Sequence, residues 1–214
     1  MTYLPTLVIA TTNPGKLREV ALILEHLPLT LRSLTEFEGI VTVEETGQTY
    51  AENAQLKAQG YATQISLDVI ADDSGLEVDA LGGAPGVRSA RYSGESASDQ
   101  DRVSHLLSNL TGVPEPKRTA RFVSAIAIAE SDGRIIHTAS GICEGVITLQ
   151  PRGTGGFGYD PIFVPSGYDK TLAELSPAVK NRISHRAQAL LATRAFLLSH
   201  HIDDANSSTQ MDAS

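Results

Sequence analysis

The sequence predicts an α/β protein built on a mixed β-sheet with flanking helices. Three observations predict it. Leu7 to Ala10 is a short apolar, β-branched run. It passes through Thr11-Thr12-Asn13-Pro14-Gly15-Lys16 into apolar residues at near-helical spacing (Leu17, Val20, Ala21, Leu24, Leu27). Val69-Ile70-Ala71 is a second buried-strand run, ending in Asp72-Asp73-Ser74-Gly75-Leu76. Arg121 to Ala129 and Ile135 to Leu149 are joined by Ser131-Asp132-Gly133-Arg134, a hairpin turn. The first pattern suits parallel pairing and the last forces antiparallel pairing, so the sheet is mixed.

The composition narrows the function classes. A chain of 214 residues buries a sizeable core without staples. Its single cysteine, Cys143, excludes an intrachain disulfide framework and suits a reducing cytoplasm. No apolar run reaches the roughly 18 residues of a membrane span, and Met1 to Thr6 lacks the basic and apolar regions of a signal peptide. The net charge of −8 argues against nucleic acid as a partner. An acidic protein that binds a polyanion needs clustered Lys and Arg, or a bridging cation.

Each element then follows in order. The turn at Thr11 to Lys16 links a strand to a helix, a geometry that presents backbone N–H groups to a phosphate. Lys16 adds a charge; Thr11, Thr12 and Asn13 add donors. The spacing is not that of a Walker A loop, and an ordinary Asn-Pro-Gly turn reads the same way. Leu29 to Ser33 and Ile40 to Val43 read as strands. Glu44-Glu45-Thr46-Gly47 is an acidic loop. Thr49 and Glu52 form a capping box for a helix to about Ile65 that carries Lys57. Lys57 is either a solvated helix position or is aimed at a cleft.

The central stretch reads as a short strand running into two carboxylates. Successive strand side chains alternate between faces, so Asp72 and Asp73 point opposite ways. One serves the fold and the other faces a cleft, unless Asp73 merely caps an Asx turn before Gly75. Buried carboxylates need a partner or a metal. Leu81 to Gly94 is a loop rich in Gly and Pro. Ser98 caps a helix to Asn109.

Four glycines in the six residues 153–158 enclose Phe157, with Tyr159 and Asp160 following. Glycine permits close approach of a ligand to the backbone. Phe157 and Tyr159 can stack on a base. Asp160 either accepts a proton from a base edge or orders the loop. Ser176-Pro177 starts a helix. Lys180, His185 and Arg186 do not share a face of one straight helix, because five and six residues are not helical repeats. A break near Ile183, with Ser184 as a new N-cap, brings His185 and Arg186 onto a first helical turn. Residues 1–202 read as one domain and residues 203–214 as an unstructured polar tail.

The segments Thr11 to Lys16, Glu44 to Lys57, Ala71 to Gly94, Gly153 to Asp160 and Lys180 to Arg186 together resemble the inosine triphosphate pyrophosphatase family. The resemblance spans Leu7 to about Leu198. Ala71-Asp72-Asp73-Ser74-Gly75-Leu76, Gly82-Gly83-Ala84-Pro85-Gly86, Phe157-Gly158-Tyr159-Asp160-Pro161 and Ser184-His185-Arg186 carry it. It implies an elongated α/β fold with two lobes around a central cleft, a homodimer, and Mg²⁺-dependent hydrolysis of non-standard purine nucleoside triphosphates (ITP, dITP, XTP) to the monophosphate and pyrophosphate.

The resemblance also implies roles. Asp73 matches the proton acceptor and a metal-linked carboxylate; Glu44 matches a second metal-holding acid. Thr11, Thr12, Asn13, Pro14, Gly15 and Lys16 match the phosphate loop, although Thr12 stands where the family often has glycine. Lys57 matches a basic position near the phosphates and Ser74 a substrate contact. Phe157, Gly158, Tyr159 and Asp160 match the base-side segment. Lys180, His185 and Arg186 match the residues that recognise the base and close the site. A donor among His185, Arg186 or a backbone N–H would accept the 6-keto oxygen and reject a 6-amino group.

Overall fold

The structure, a computed structural model, describes residues 4–211, with side chains to residue 200. Strand β1 (Thr6–Ala10) leads into helix α1 (Pro14–Ile23), whose N-cap is Asn13. Strand β2 (Thr30–Ser33) and helix α2 (Tyr50–Ile65) follow. Strand β3 (Asp68–Val78) is the centre of the molecule. Helix α3 (Asp99–Asn109) precedes strands β4 (Thr119–Ala129) and β5 (Ile135–Ile147). Strand β6 (Phe163–Pro165), helix α4 (Pro177–Ile183) and helix α5 (His185–Met211) complete it.

The sheet order is β2-β1-β3-β4-β5-β6. β1 runs parallel to both β2 and β3, whereas β3-β4, β4-β5 and β5-β6 are antiparallel. The sheet therefore changes from parallel to antiparallel across β3, as the hairpin required. Period-2 alternation sorts its side chains. Val69 and Ala71 pack against α2 with Ala54, Ala58 and Ala62. Ile70 faces the other way, into a cluster with Val20, Leu24 and Leu190 from α1 and α5. A third cluster gathers Leu76, Val78, Leu106, Phe122 and Phe163 around α3, β5 and β6. Two lobes thus meet along β3, between Ala71 and Leu76.

The predicted capping box at Thr49/Glu52 is present, and Ser98 caps its helix as predicted, with Asp101 completing a second box. The predicted break holds as well. Helix α4 ends at Ile183, Ser184 is extended (ψ 155°), and its hydroxyl accepts from Ala187 N at 3.2 Å. Three expectations are corrected. Ile40 to Val43 is not a strand. Gln64 of α2 takes both polar groups of Val41 (2.8 and 3.1 Å), and the Tyr61 hydroxyl accepts from Val43 N (3.3 Å), so no strand neighbour is needed. β3 does not turn after its carboxylates but continues to Val78, paired with β4 throughout. β6 went unread because three residues carry no period.

Helix α5 runs on into the stretch read as a polar tail; residues 212–214 of that stretch lie outside the described residues. Among the described residues no helix is long and apolar enough to cross a membrane.

Candidate active site

β1 ends at Ala10, opposite Ala71. Beyond that point the β1 side of β3 has no strand beside it, and a cleft of about 840 Å³ opens there. Such a place, outside the carboxyl end of a parallel strand where the sheet changes sense, is where α/β folds bind ligands.

Asp72 and Asp73 are both buried (each 6% exposed) and face opposite sides. Asp72 binds Lys16 Nζ (2.6 Å), the Ser124 hydroxyl (2.7 Å) and Arg186 Nε (3.3 Å). Burial pushes its carboxyl up, but the charges of Arg186 and Lys16 outweigh burial and hold it well below the usual carboxylate range. Asp72 is the carboxylate that serves the fold. Asp73 lines the cleft and accepts from Asn53 Nδ2 (3.2 Å), with Lys57 Nζ at 3.4 Å. Burial raises its pKa, and Lys57 and Lys16 only partly offset that. It is no Asx turn, because the strand continues through it.

Lys57 is indeed aimed at the cleft. Its ammonium donates to Asp72 O (2.7 Å) and Glu45 Oε1 (2.9 Å). Glu45, half-buried, lines the cleft; Glu44, one residue earlier, is exposed and outside the lining. Strand-like alternation is the reason, since neighbours in an extended segment face opposite ways.

Only part of the predicted phosphate loop reaches the cleft, namely Asn13 and Lys16. The amides of Gly15 and Lys16 donate to Asn13 Oδ1 (2.8 and 3.0 Å), as in an ordinary N-cap. Thr11 accepts from Asn13 N (3.1 Å), and Thr12 and Pro14 are exposed and outside the lining. Gly15 has a packing reason instead. A Cβ there would lie 2.4 Å from Phe157 Cδ1, so the glycine seats the Phe157 ring.

That ring also lies under two cations, Lys180 Nζ (4.7 Å) and Arg186 Cζ (5.5 Å from its centroid). Gly158 lines the cleft, and its N–H donates to Asp99 (2.7 Å). Tyr159 is a core residue whose hydroxyl donates to Ser89 O (3.0 Å); its ring sits in the third cluster rather than free to stack. Asp160 orders the loop, accepting from Phe157 N (2.9 Å) and Lys180 Nζ (2.5 Å).

Arg186 is 2% exposed, and each of its nitrogens donates once: Nε to Asp72, Nη1 to Glu19, and Nη2 to the Ser74 hydroxyl (2.8 Å). His185 is different. Its ring stacks on Phe122 (centroids 4.7 Å apart), lines the cleft, and keeps Nδ1 without a partner. Burial, with Arg186's charge beside it, holds the imidazole well below its usual pKa, so the ring is neutral.

Sequence reasoning missed Glu19, Asn53 and Glu45. Glu19 bridges Lys180 (2.8 Å) and Arg186. Two of the three had a signal: Asn53 is one helical turn before Lys57, and Glu19 is three residues after Lys16.

Fold and site together define an α/β protein with a cationic cleft built around the buried Asp73 carboxylate. The chain belongs to the Ham1 family, whose model matches residues 7–196. It is 54% identical over 184 residues to the dITP/XTP pyrophosphatase of Geobacter sulfurreducens, covering 86% of this chain and 92% of the relative. It is 50% identical over 183 residues to that of Bacillus subtilis, again 86% and 92%. Among solved structures, a HAM1 protein from Coxiella burnetii superposes with a TM-score of 0.83 at 41% identity, over 92% of this chain and all of that one (100%). A nucleoside-triphosphatase / dITP/XTP pyrophosphatase from Mycobacterium abscessus gives 0.70 at 42% identity, over 88% and 97%.

Proposed function

We propose that this chain hydrolyses the non-standard purine nucleoside triphosphates ITP, dITP and XTP to the monophosphate and pyrophosphate. One observation carries the reading: the Asp73 carboxylate stands in the cleft with Lys57 and Lys16 about it, its pKa raised by burial. The relatives' names supply the substrate class.

In this mechanism Asp73 orients a water and takes its proton as the water oxygen attacks the α-phosphorus. The α–β bridging bond breaks and pyrophosphate leaves. Lys16 and Lys57 face the developing charge.

Mg²⁺ belongs to the reading. Lys57 Nζ already sits between Glu45 Oε1 (2.9 Å) and Asp73 Oδ1 (3.4 Å), so two carboxylates converge on one cation. Mg²⁺ needs only one or two protein carboxylates, because it keeps most of its waters. Asp73 and Glu45 would hold it, and it would neutralise charge on the triphosphate and the leaving group. The exposed Glu44 stands farther from that role.

At the base end, His185 keeps Nδ1 without a partner, whereas every nitrogen of Arg186 already donates once. The neutral imidazole is therefore assigned as the donor to a 6-keto oxygen, where a 6-amino group would leave it unpaired. A cytoplasmic homodimer completes the reading. Sedimentation tests the dimer.

The deciding experiment is pyrophosphate release from ITP, XTP, GTP and ATP, with Mg²⁺ and with chelator. Metal-dependent release from ITP and XTP alone is the expected outcome. Tight ITP binding without release would replace the enzyme by a nucleotide-binding regulator.

A further inference from the structure

The cleft's cations differ in how firmly they are held. Lys16 sits on Asp72 (2.6 Å), Lys57 on Glu45 (2.9 Å) and Lys180 on Asp160 (2.5 Å). Arg102 is paired with Asp99 and Arg186 with Glu19. Arg91 stands apart. Its one ion-pair contact among the described residues is Glu45 at 4.0 Å, its guanidinium donates no hydrogen bond, and its side chain is 45% exposed. Glu45, moreover, is already neutralised by Lys57.

Arg91 is also placed at an opening. Together with Glu45 and Val87 it lines both the cleft and an adjoining cavity. Arg88 lines that cavity as well, with Glu95 the other acidic side chain there. Arg88 and Arg91 lie three residues apart in a 3₁₀ turn (Gly86–Arg91), where side chains at that spacing eclipse and project together. The turn is rigidly seated. The Ser89 hydroxyl donates to Gly86 O (2.6 Å) and accepts from Leu76 N of β3 (2.8 Å), and Tyr159 ties down Ser89 O. Phe157 and His185 line the cleft but not that adjoining cavity.

We propose that Arg91, backed by Arg88, receives the terminal phosphates of the substrate and holds the pyrophosphate product, so that it sets the preference for a triphosphate over a diphosphate. This rests on the hydrolase reading and assigns the side of its site that opens onto the adjoining cavity. A guanidinium with all its N–H groups unspent is the group best shaped for a phosphate fork. It is a specificity residue, outside the reacting atoms.

The test is kcat/KM for ITP and for IDP, both cleaved at the α–β bond, in the wild type, Arg91→Ala and Arg91→Lys. Calorimetric binding of inorganic pyrophosphate and tripolyphosphate to the same three proteins accompanies it. In Arg91→Ala the ITP value falls about tenfold or more through KM while IDP changes little, and pyrophosphate binding weakens by a similar factor. Arg91→Lys recovers part of both, because it keeps the charge and loses the fork. Equal losses on ITP and IDP, or pyrophosphate binding unchanged in Arg91→Ala, would overturn the proposal. A wild type that cleaves neither nucleotide yet binds pyrophosphate in an Arg91-dependent way would uphold this assignment and remove the hydrolase reading.

Discussion

Asp72 and Asp73 are consecutive on β3 and equally buried, yet they answer to different halves of the molecule. Asp72 gathers Lys16 of α1 and Arg186 of α5; Asp73 meets Asn53 and Lys57 of α2. The two-residue period of a strand is the whole cause. It lets one dipeptide anchor the cations of the site and also leave a carboxylate facing the cleft.

Asp73→Asn should lower kcat for pyrophosphate release by about 10²-fold or more, the usual worth of a positioned base. The amide is nearly isosteric and Asn53 remains beside it, so the melting temperature should move little. Near-normal turnover would remove Asp73 from its role.

The pH profile should carry the same signature. Activity needs the Asp73 carboxylate, and burial raises its pKa. The acid limb of kcat/KM should therefore lie above the ~3.9 of a free aspartate, with activity lost as pH falls through it. Lys57 pulls that pKa down, so Lys57→Met should shift the limb to higher pH. A limb that does not move would uncouple the two groups.

Asp72→Asn should cost stability rather than chemistry. It leaves Lys16 and Arg186 buried without their shared carboxylate, a loss of about 3 kcal/mol or more, roughly 6 °C in Tm for a chain of this size. The sign of the pH dependence follows. The folded pKa is depressed, so the stabilisation is complete above the unfolded value near 3.9 and is lost only as pH falls below about 5 and toward the folded value. Thermal melts of the two proteins should converge in acid and differ at neutral pH.

Gly75→Ala should be severe. A Cβ there would lie 2.4 Å from the Gly86 carbonyl and 2.6 Å from Ser89 Oγ, and a backbone group cannot swing aside. We expect about 1–3 kcal/mol of overpacking, read in a denaturant melt, together with weaker substrate binding as the arginine-bearing turn shifts. Gly15→Ala meets only the edge of the Phe157 ring and should be milder in stability.

Much of the fold was legible because its signals are local. The caps at Thr49 and Ser98, the hairpin at Ser131 to Arg134 and the break at Ser184 each depend on a few neighbouring residues, and each stands where the sequence put it. The alternation of Asp72 and Asp73 needed nothing beyond the strand period. Part of the candidate site was legible as well: Asp73, Lys57, Phe157, Gly158, Lys180, His185 and Arg186, named from the motifs, all line the cleft, whereas Glu44 and most of the turn after β1 do not.

What the sequence by itself determined, then, is the α/β class, the order of elements and the central dipeptide with its opposed faces. Only the tertiary structure decided which donors are already spent. Every nitrogen of Arg186 already donates, to Asp72, Glu19 or Ser74; the Tyr159 hydroxyl is spent on Ser89, and the Gly15 and Lys16 amides on Asn13. His185 and Arg91 are left with groups to offer. The reason is physical. A hydrogen-bonding group is available to a ligand only if no partner from elsewhere in the chain has claimed it. Those partners lie up to 167 residues away, as Glu19 does from Arg186, at distances no local pattern encodes.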